Sequence, residues 1–137
     1  MIYEQSYDRE NQRRIMKIIW QHFAALDYSE TPEFEGFDFE VYALGRRYLF
    51  EIKKRNISIS DFKTIFVSKR KYDIARGLPN SVDAYYCVEY NDAYAVWDMK
   101  RSSLERLGAR SQPRTDRPED DPVVEFPVSE AIITGAL

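Results

Sequence analysis

Between residues 7 and 26 the chain repeats at intervals of three and four. Ile15, Ile18, Ile19, His22, Phe23 and Leu26 fall on one stripe, which predicts an amphipathic helix. Ser6 or Asp8 is placed to cap it. At 100° per residue, Asp8 and Gln12 turn onto or beside the buried stripe, whereas Glu10 points away from it. Residues 28–35, with Pro32, read as a connecting loop. From Phe37 the period becomes two. Phe37, Phe39, Val41 and Ala43 alternate with polar positions, and Tyr48, Phe50 and Ile52 answer them beyond Gly45, predicting a hairpin with strands of about 37–44 and 47–53. With Gly45 first in a two-residue type II′ turn, Leu44 pairs with Arg47, Asp38 lies opposite Lys53 and Glu40 opposite Glu51. One face is then wholly apolar, and the other carries Asp38, Glu40, Glu51 and Lys53.

Downstream, residues 56–60 are polar and loop-like, Ser60 and Asp61 suit a short turn of helix, and residues 64–67 fit helix or strand equally well. Ser68 is a plausible N-cap for a helix through Lys69, Lys71, Tyr72, Ile74 and Ala75, which Gly77 and Pro79 stop. Residues 84–90 and 94–97, aromatic and β-branched, predict a second hairpin turning at Asn91 and Asp92, near the centre of the sheet. Residues 99–108 suit a helix, residues 109–121 a flexible loop. Residues 123–128 suit an edge strand, because Pro127 cannot donate to a ladder, and Ser129 suits the cap of a last helical turn. The order α-β-β-α-β-β plus a C-terminal strand and short helix implies an α/β fold: a mixed central sheet of about four to five strands flanked by helices.

Composition adjusts this picture in three ways. The 137 residues, 44% hydrophobic and 15% aromatic, suit a single domain over residues 1–137 with its core in about 7–98. No apolar run approaches the length of a membrane span, and Met1 leads into polar residues, so no secretion signal is expected. Cys87 is the only cysteine, which makes a reducing, cytoplasmic compartment the default. His22 is the only histidine, which excludes a multi-histidine zinc site. The net charge of -3 conceals segregation: residues 46–76 hold ten basic and three acidic side chains, a local +7 against -10 elsewhere. That basic block begins at the polar hairpin. No phosphate-binding glycine loop, dinucleotide fingerprint or Gly-x-Ser-x-Gly elbow is present.

Glu51 and Lys53 share a strand face, and Asp38 reaches the same place from the partner strand. Two such carboxylates with the Ile52 carbonyl suit a hard divalent cation, Mg²⁺ or Mn²⁺, which takes oxygen ligands and keeps waters. Such an ion stabilises charge on an attacked phosphate and acidifies bound water, and a nearby lysine can orient that water. The same residues also fit a surface ladder pairing Asp38 with Lys53, worth about 0.2–1 kcal/mol.

Asp38, twelve further residues, then Glu51-Ile52-Lys53 resembles the core motif of the PD-(D/E)XK nuclease superfamily. The preceding amphipathic helix, following basic helix and second hairpin extend the resemblance over roughly residues 7–98. It implies a restriction-endonuclease-like fold and cleavage of DNA, or occasionally RNA, with Mg²⁺ or Mn²⁺; small members include resolvases of branched DNA and phage nucleases. Carried over, Asp38 and Glu51 are metal ligands with the Ile52 carbonyl, and Lys53 is the catalytic lysine. Two departures stand out: Phe37 replaces the proline of the motif, and the first helix offers Glu10, Gln12 or Asp8 where many members place a glutamate. Glu40 is an extra candidate for the metal shell. Lys54, Arg55, Lys69, Arg70 and Lys71 are the expected phosphate contacts, with affinity that falls as salt rises. Tyr42 and Tyr72 suit packing better than base stacking. The implied partner is nucleic acid, with DNA first and no membrane, and a homodimer is compatible. With no recognition helix visible, structure-selective or non-specific cleavage is expected over site-specific cutting. A non-catalytic nucleic-acid- or protein-binding module on the same fold is the alternative, and an acidic mimic of nucleic acid a third reading.

Overall fold

A computed structural model describes residues 2–22, 29–30, 37–43, 45–101, 106–109 and 122–137, and these described residues form two sheets and two α-helices. Helix α1 (Ile2–Trp20) is followed by strands β1 (Ser29–Glu30), β2 (Phe39–Ala43), β3 (Arg46–Lys54) and β4 (Thr64–Ser68). Helix α2 (Lys69–Arg76), β5 (Val82–Glu89), β6 (Ala93–Asp98), β7 (Arg106–Ala109), β8 (Pro122–Pro127) and β9 (Ile133–Ala136) complete the order. The larger sheet has the order β1-β2-β3-β5-β6-β9, the smaller β4-β8-β7. Among the described strands only β3 and β5 run parallel, and the connection between them holds β4 and α2.

Both faces of the larger sheet are covered, which explains why β5 and β6 are buried almost throughout. On one face Ile15, Met16 and Ile19 of α1 pack on Phe39, Val41, Phe50, Ile52, Cys87 and Val96. On the other, Ile65, Val67, Val124 and Phe126 of the smaller sheet and Ala75 of α2 pack on Leu49, Tyr86, Val88 and Trp97. Burial of these side chains, worth roughly 1.5–3 kcal/mol each for the larger ones, holds the layers together.

Several expectations change. Helix α1 begins at Ile2, so Ser6 and Asp8 lie inside it rather than at its cap; nothing among the preceding residues breaks a helix, so the ladder runs through them. Its helical bonds end at Trp20, and Gln21 and His22 form a closing turn; Phe23 and Leu26 lie outside the described residues, as do most of loops 28–35 and 109–121. Ser68 stands at the N-cap of α2 but its side chain makes no capping bond. Residues 64–67 are strand, and residues 106–108, expected helical, form strand β7 with Ala109 and pair with β8. Residues 122–127 are the middle strand of the smaller sheet rather than an edge, with Pro122 and Pro127 confined to its two ends, where a missing donor costs least. Beyond the short 3-10 turn Val128–Glu130, whose Ser129 makes no cap, the chain extends again as β9 along β6.

The first hairpin also has a different register. Ala43 pairs with Arg46 and Tyr42 with Arg47, and Gly45, with φ of 76°, is the second residue of its turn rather than the first. A positive φ at that position favours glycine. The register therefore moves by two, which preserves which side chains share a face. Glu40 now lies opposite Leu49, and one step past the Phe39–Phe50 pair Asp38 comes beside Glu51 rather than Lys53. Phe37, before the regular strand begins, packs with Leu49 on the opposite side from Phe39.

Candidate active site

Asp38 is held by the end of the ladder it terminates. Its backbone N–H donates to the Phe50 carbonyl at 2.8 Å, and its Oδ2 accepts the Ile52 N–H at 2.8 Å, so a carboxylate replaces the next main-chain acceptor. Arg9 of α1 closes the other side, donating to the Asp38 carbonyl at 3.0 Å and lying 4.0 Å from Oδ1. Arg9 sits three residues before Gln12, on the same helical face. Gln12 points inward as its helical phase implies, and its Nε2 donates to the Ile52 carbonyl at 3.2 Å. Glu10 is exposed, and the side chain of Asp8 is not among those described.

Glu51 follows the alternation of β3, but the face it occupies is not solvated: the smaller sheet and α2 cover it, and its side chain is only 6% exposed. Burial first, then the neighbouring charge of Asp38, pushes its carboxyl up to about 7, while Lys53 and Lys71 pull it down. Lys71 Nζ donates to Oε2 at 3.1 Å, and Lys53 Nζ lies 3.9 Å from the same oxygen. A buried carboxylate set against a second, partly exposed one is a charge conflict that a dication relieves. The donor set fits one: two carboxylates and the Ile52 carbonyl, which keeps a second lone pair beyond the Gln12 bond. Among the described residues no third His, Cys, Asp or Glu joins them.

Glu40 does not. It is paired with Arg47, whose Nε donates to Oε2 at 2.7 Å and whose second guanidinium nitrogen also binds it, so the two-residue shift removes it from the metal shell. Cys87 lies on the far face, its thiol pushed well up by burial, Asp38 and Glu51, which leaves it inert.

A cleft of about 1180 Å³ opens over Glu51 and Ile52, lined by Gln12 and by basic residues on two walls. Lys53, Lys54 and Arg55 extend from the end of β3, and Lys69, Arg70 and Lys71 from the start of α2. Asp38 stands outside this wall, reaching the site through Ile52. The expected phosphate contacts are in different states. Lys54 leans on Glu89 at 3.4 Å, Arg55 donates to the Tyr86 hydroxyl at 3.3 Å, Lys69 pairs with Asp73 at 2.6 Å, and Arg70 is exposed. Tyr72 packs on Phe126 with Arg76 over its ring, whereas Tyr42 is two-thirds exposed with Arg47 over its ring.

Sequence reasoning missed two partners here. Lys71, on the α2 wall of the cleft, also donates to the buried Glu51 carboxylate. Glu89, 3% exposed, ties α1 to β3 and β5: Asn11 and Arg14 each reach it at 2.5 Å and Lys54 joins them. The one carboxylate among residues 84–90, an otherwise apolar run, was the available signal.

Compared with protein families, residues 1–132 match the one described as "Phage putative PDDEXK endonuclease". The chain belongs to this family. The resemblance to the PD-(D/E)XK superfamily therefore holds, and the chain is of the PDDEXK nuclease type. Among solved structures it is similar to Archaeoglobus fulgidus Hjc, a Holliday junction resolvase from an archaeal hyperthermophile, with a TM-score of 0.53 and 14% identity over 92% of this chain and 88% of that one. At that identity the likeness speaks to the fold, which is α/β and restriction-endonuclease-like as the element order implies. No curated protein sequence matches the chain. Among the described residues no helix is long and apolar enough to cross a membrane.

Proposed function

We propose that the protein is a Mg²⁺-dependent nuclease that hydrolyses phosphodiester bonds in DNA, selecting structure or cutting without sequence preference, and acting as a single domain. The observation that carries this reading is Glu51: a buried carboxylate set against Asp38 and addressed by two lysines at the floor of a basic cleft. Asp38, Glu51 and the Ile52 carbonyl would hold the ion, with Mn²⁺ as a substitute. When bound it supplies an acidified water and charge neutralisation at the phosphate.

The remaining work falls to the side chains. The Ile52 N–H fixes Asp38, Gln12 fixes the Ile52 carbonyl, and Arg9 holds the strand end on which both depend. Lys53, half exposed at the cleft, orients the attacking water or stabilises the charge that develops on the phosphate. Lys54, Arg55, Lys69 and Arg70 line the strand's path on two sides and read backbone rather than base edges. Similarity to a Holliday junction resolvase supports placing branched DNA among the substrates to be tried.

The test is a cleavage assay on linear, single-stranded and branched DNA with and without Mg²⁺, repeated with Lys53→Ala. Cleavage that needs the metal and is lost in the variant, with the melting temperature kept, is the expected result. A protein that binds DNA without cutting it, and whose melting is unmoved by Mn²⁺, is a binding module instead.

A further inference from the structure

Lys71 and Lys53 address the same oxygen of Glu51, and they do so differently. Lys53 Nζ is 3.9 Å from Oε2 on a side chain 48% exposed, whereas Lys71 Nζ is at 3.1 Å on one 21% exposed. Lys71 also lies over the Phe37 ring, 5.3 Å from its centroid, a contact that favours the cation. Arg70, its neighbour on α2, is exposed. A lysine serving only as a backbone contact has no reason to turn back onto a buried carboxylate. One of the two oxygens that Glu51 could offer a metal ion is thus already held by the chain's own cation, at the wall of the cleft that the substrate would occupy.

We propose that Lys71 is the resident counter-ion of Glu51, that a divalent ion must displace it to bind, and that the displaced ammonium is delivered to the phosphate in the same cleft. This rests on the metal-dependent nuclease reading above. The charges dictate the sequence of events. With Lys71 on Glu51 the carboxylate is compensated without metal. A dication on Asp38 and Glu51 repels the ammonium, whose four-carbon stem lets it swing, and the phosphodiester is the anion left within reach.

Metal binding to the DNA-free protein separates this from a purely structural lysine. Mn²⁺ is titrated calorimetrically at about pH 8.5, where protons compete little for carboxylates, into the unaltered protein and into Lys71→Met, Lys71→Arg, Lys69→Met and Glu51→Gln. Melting of each metal-free variant checks its fold. Loss of a charge-assisted hydrogen bond to the competing ammonium is expected to tighten Mn²⁺ binding by Lys71→Met about tenfold or more. Lys71→Arg, which keeps the charge, and Lys69→Met, whose ammonium sits on Asp73, should stay near the parent. At saturating Mn²⁺, Lys71→Met should nevertheless cleave more slowly in a single turnover. Unchanged or weaker Mn²⁺ binding by Lys71→Met overturns the proposal, as does equal tightening by Lys71→Arg or Lys69→Met, or full cleavage by Lys71→Met. If Glu51→Gln abolishes Mn²⁺ binding while Lys71→Met binds like the parent, only this inference falls. If the unaltered protein binds no Mn²⁺, the metal reading falls with it.

Discussion

Glu51→Gln isolates what the buried carboxylate costs the fold. The Glu51 carboxyl is pushed up from 4.5 to about 7, by burial first and by Asp38 second. Between those two values the folded protein holds a proton that the unfolded chain has released, so stability falls as pH rises from about 4.5 to about 7 and stays reduced above it. At about 1.4 kcal/mol per pH unit the full penalty is about 3 kcal/mol. Glutamine does not incur it. The attraction of Lys71 and Lys53 for the carboxylate pulls the other way and is already contained in that net shift. Urea unfolding followed by circular dichroism, in EDTA at a series of pH values, reads the difference directly. The stability of the variant minus that of the parent should climb by about 3 kcal/mol between pH 4.5 and pH 8, on the order of 10 °C in melting temperature, and then level off. A flat difference across that window would falsify the placement of Glu51 as a buried carboxylate beside Asp38.

Other consequences are equally direct. Asp38→Ala removes the acceptor of the Ile52 N–H and should abolish cleavage while costing about 1–2 kcal/mol in denaturant unfolding. Glu89→Ala leaves Asn11, Arg14 and Lys54 without their shared carboxylate, and should lower stability by about 2 kcal/mol, with faster amide exchange along α1. A Cβ at Gly135 would stand 2.5 Å from the Tyr94 ring, whose hydroxyl is tied to His22 at 2.8 Å; Gly135→Ala should therefore cost about 1–3 kcal/mol by thermal melting. Removing Arg70 should weaken DNA binding uniformly across sequences and flatten the log–log salt dependence by about one.

Much of the candidate site was legible because it is local. A period of two fixes which side chains of a strand share a face, and Asp38, Glu51 and Lys53 kept that relation although the turn moved by a residue and the register by two. The same parity could not say which residues lie directly opposite, so Glu40 was wrongly placed beside Glu51. On α1 a helical angle of 100° per residue was enough to turn Gln12 inward and Glu10 out. These relations depend only on backbone geometry within one or two elements, and the chain determines them by itself.

What covers each face is a different matter. Short apolar runs such as Thr64–Ser68 and Ile133–Ala136 suit helix, loop or strand until a partner supplies hydrogen bonds, and the partners Pro122–Pro127 and Ala93–Asp98 are distant in sequence. Tertiary pairing settled them. It also laid the smaller sheet and α2 over the polar side of the hairpin, turning an expected surface charge ladder into a buried Glu51 beside Asp38. Lys71, twenty residues from Glu51, and Glu89, seventy-five from Arg14, meet their partners only once the β3–β5 crossover closes. The acidity of Glu51 follows from that closure, because desolvation acts on a group only after the chain has folded over it.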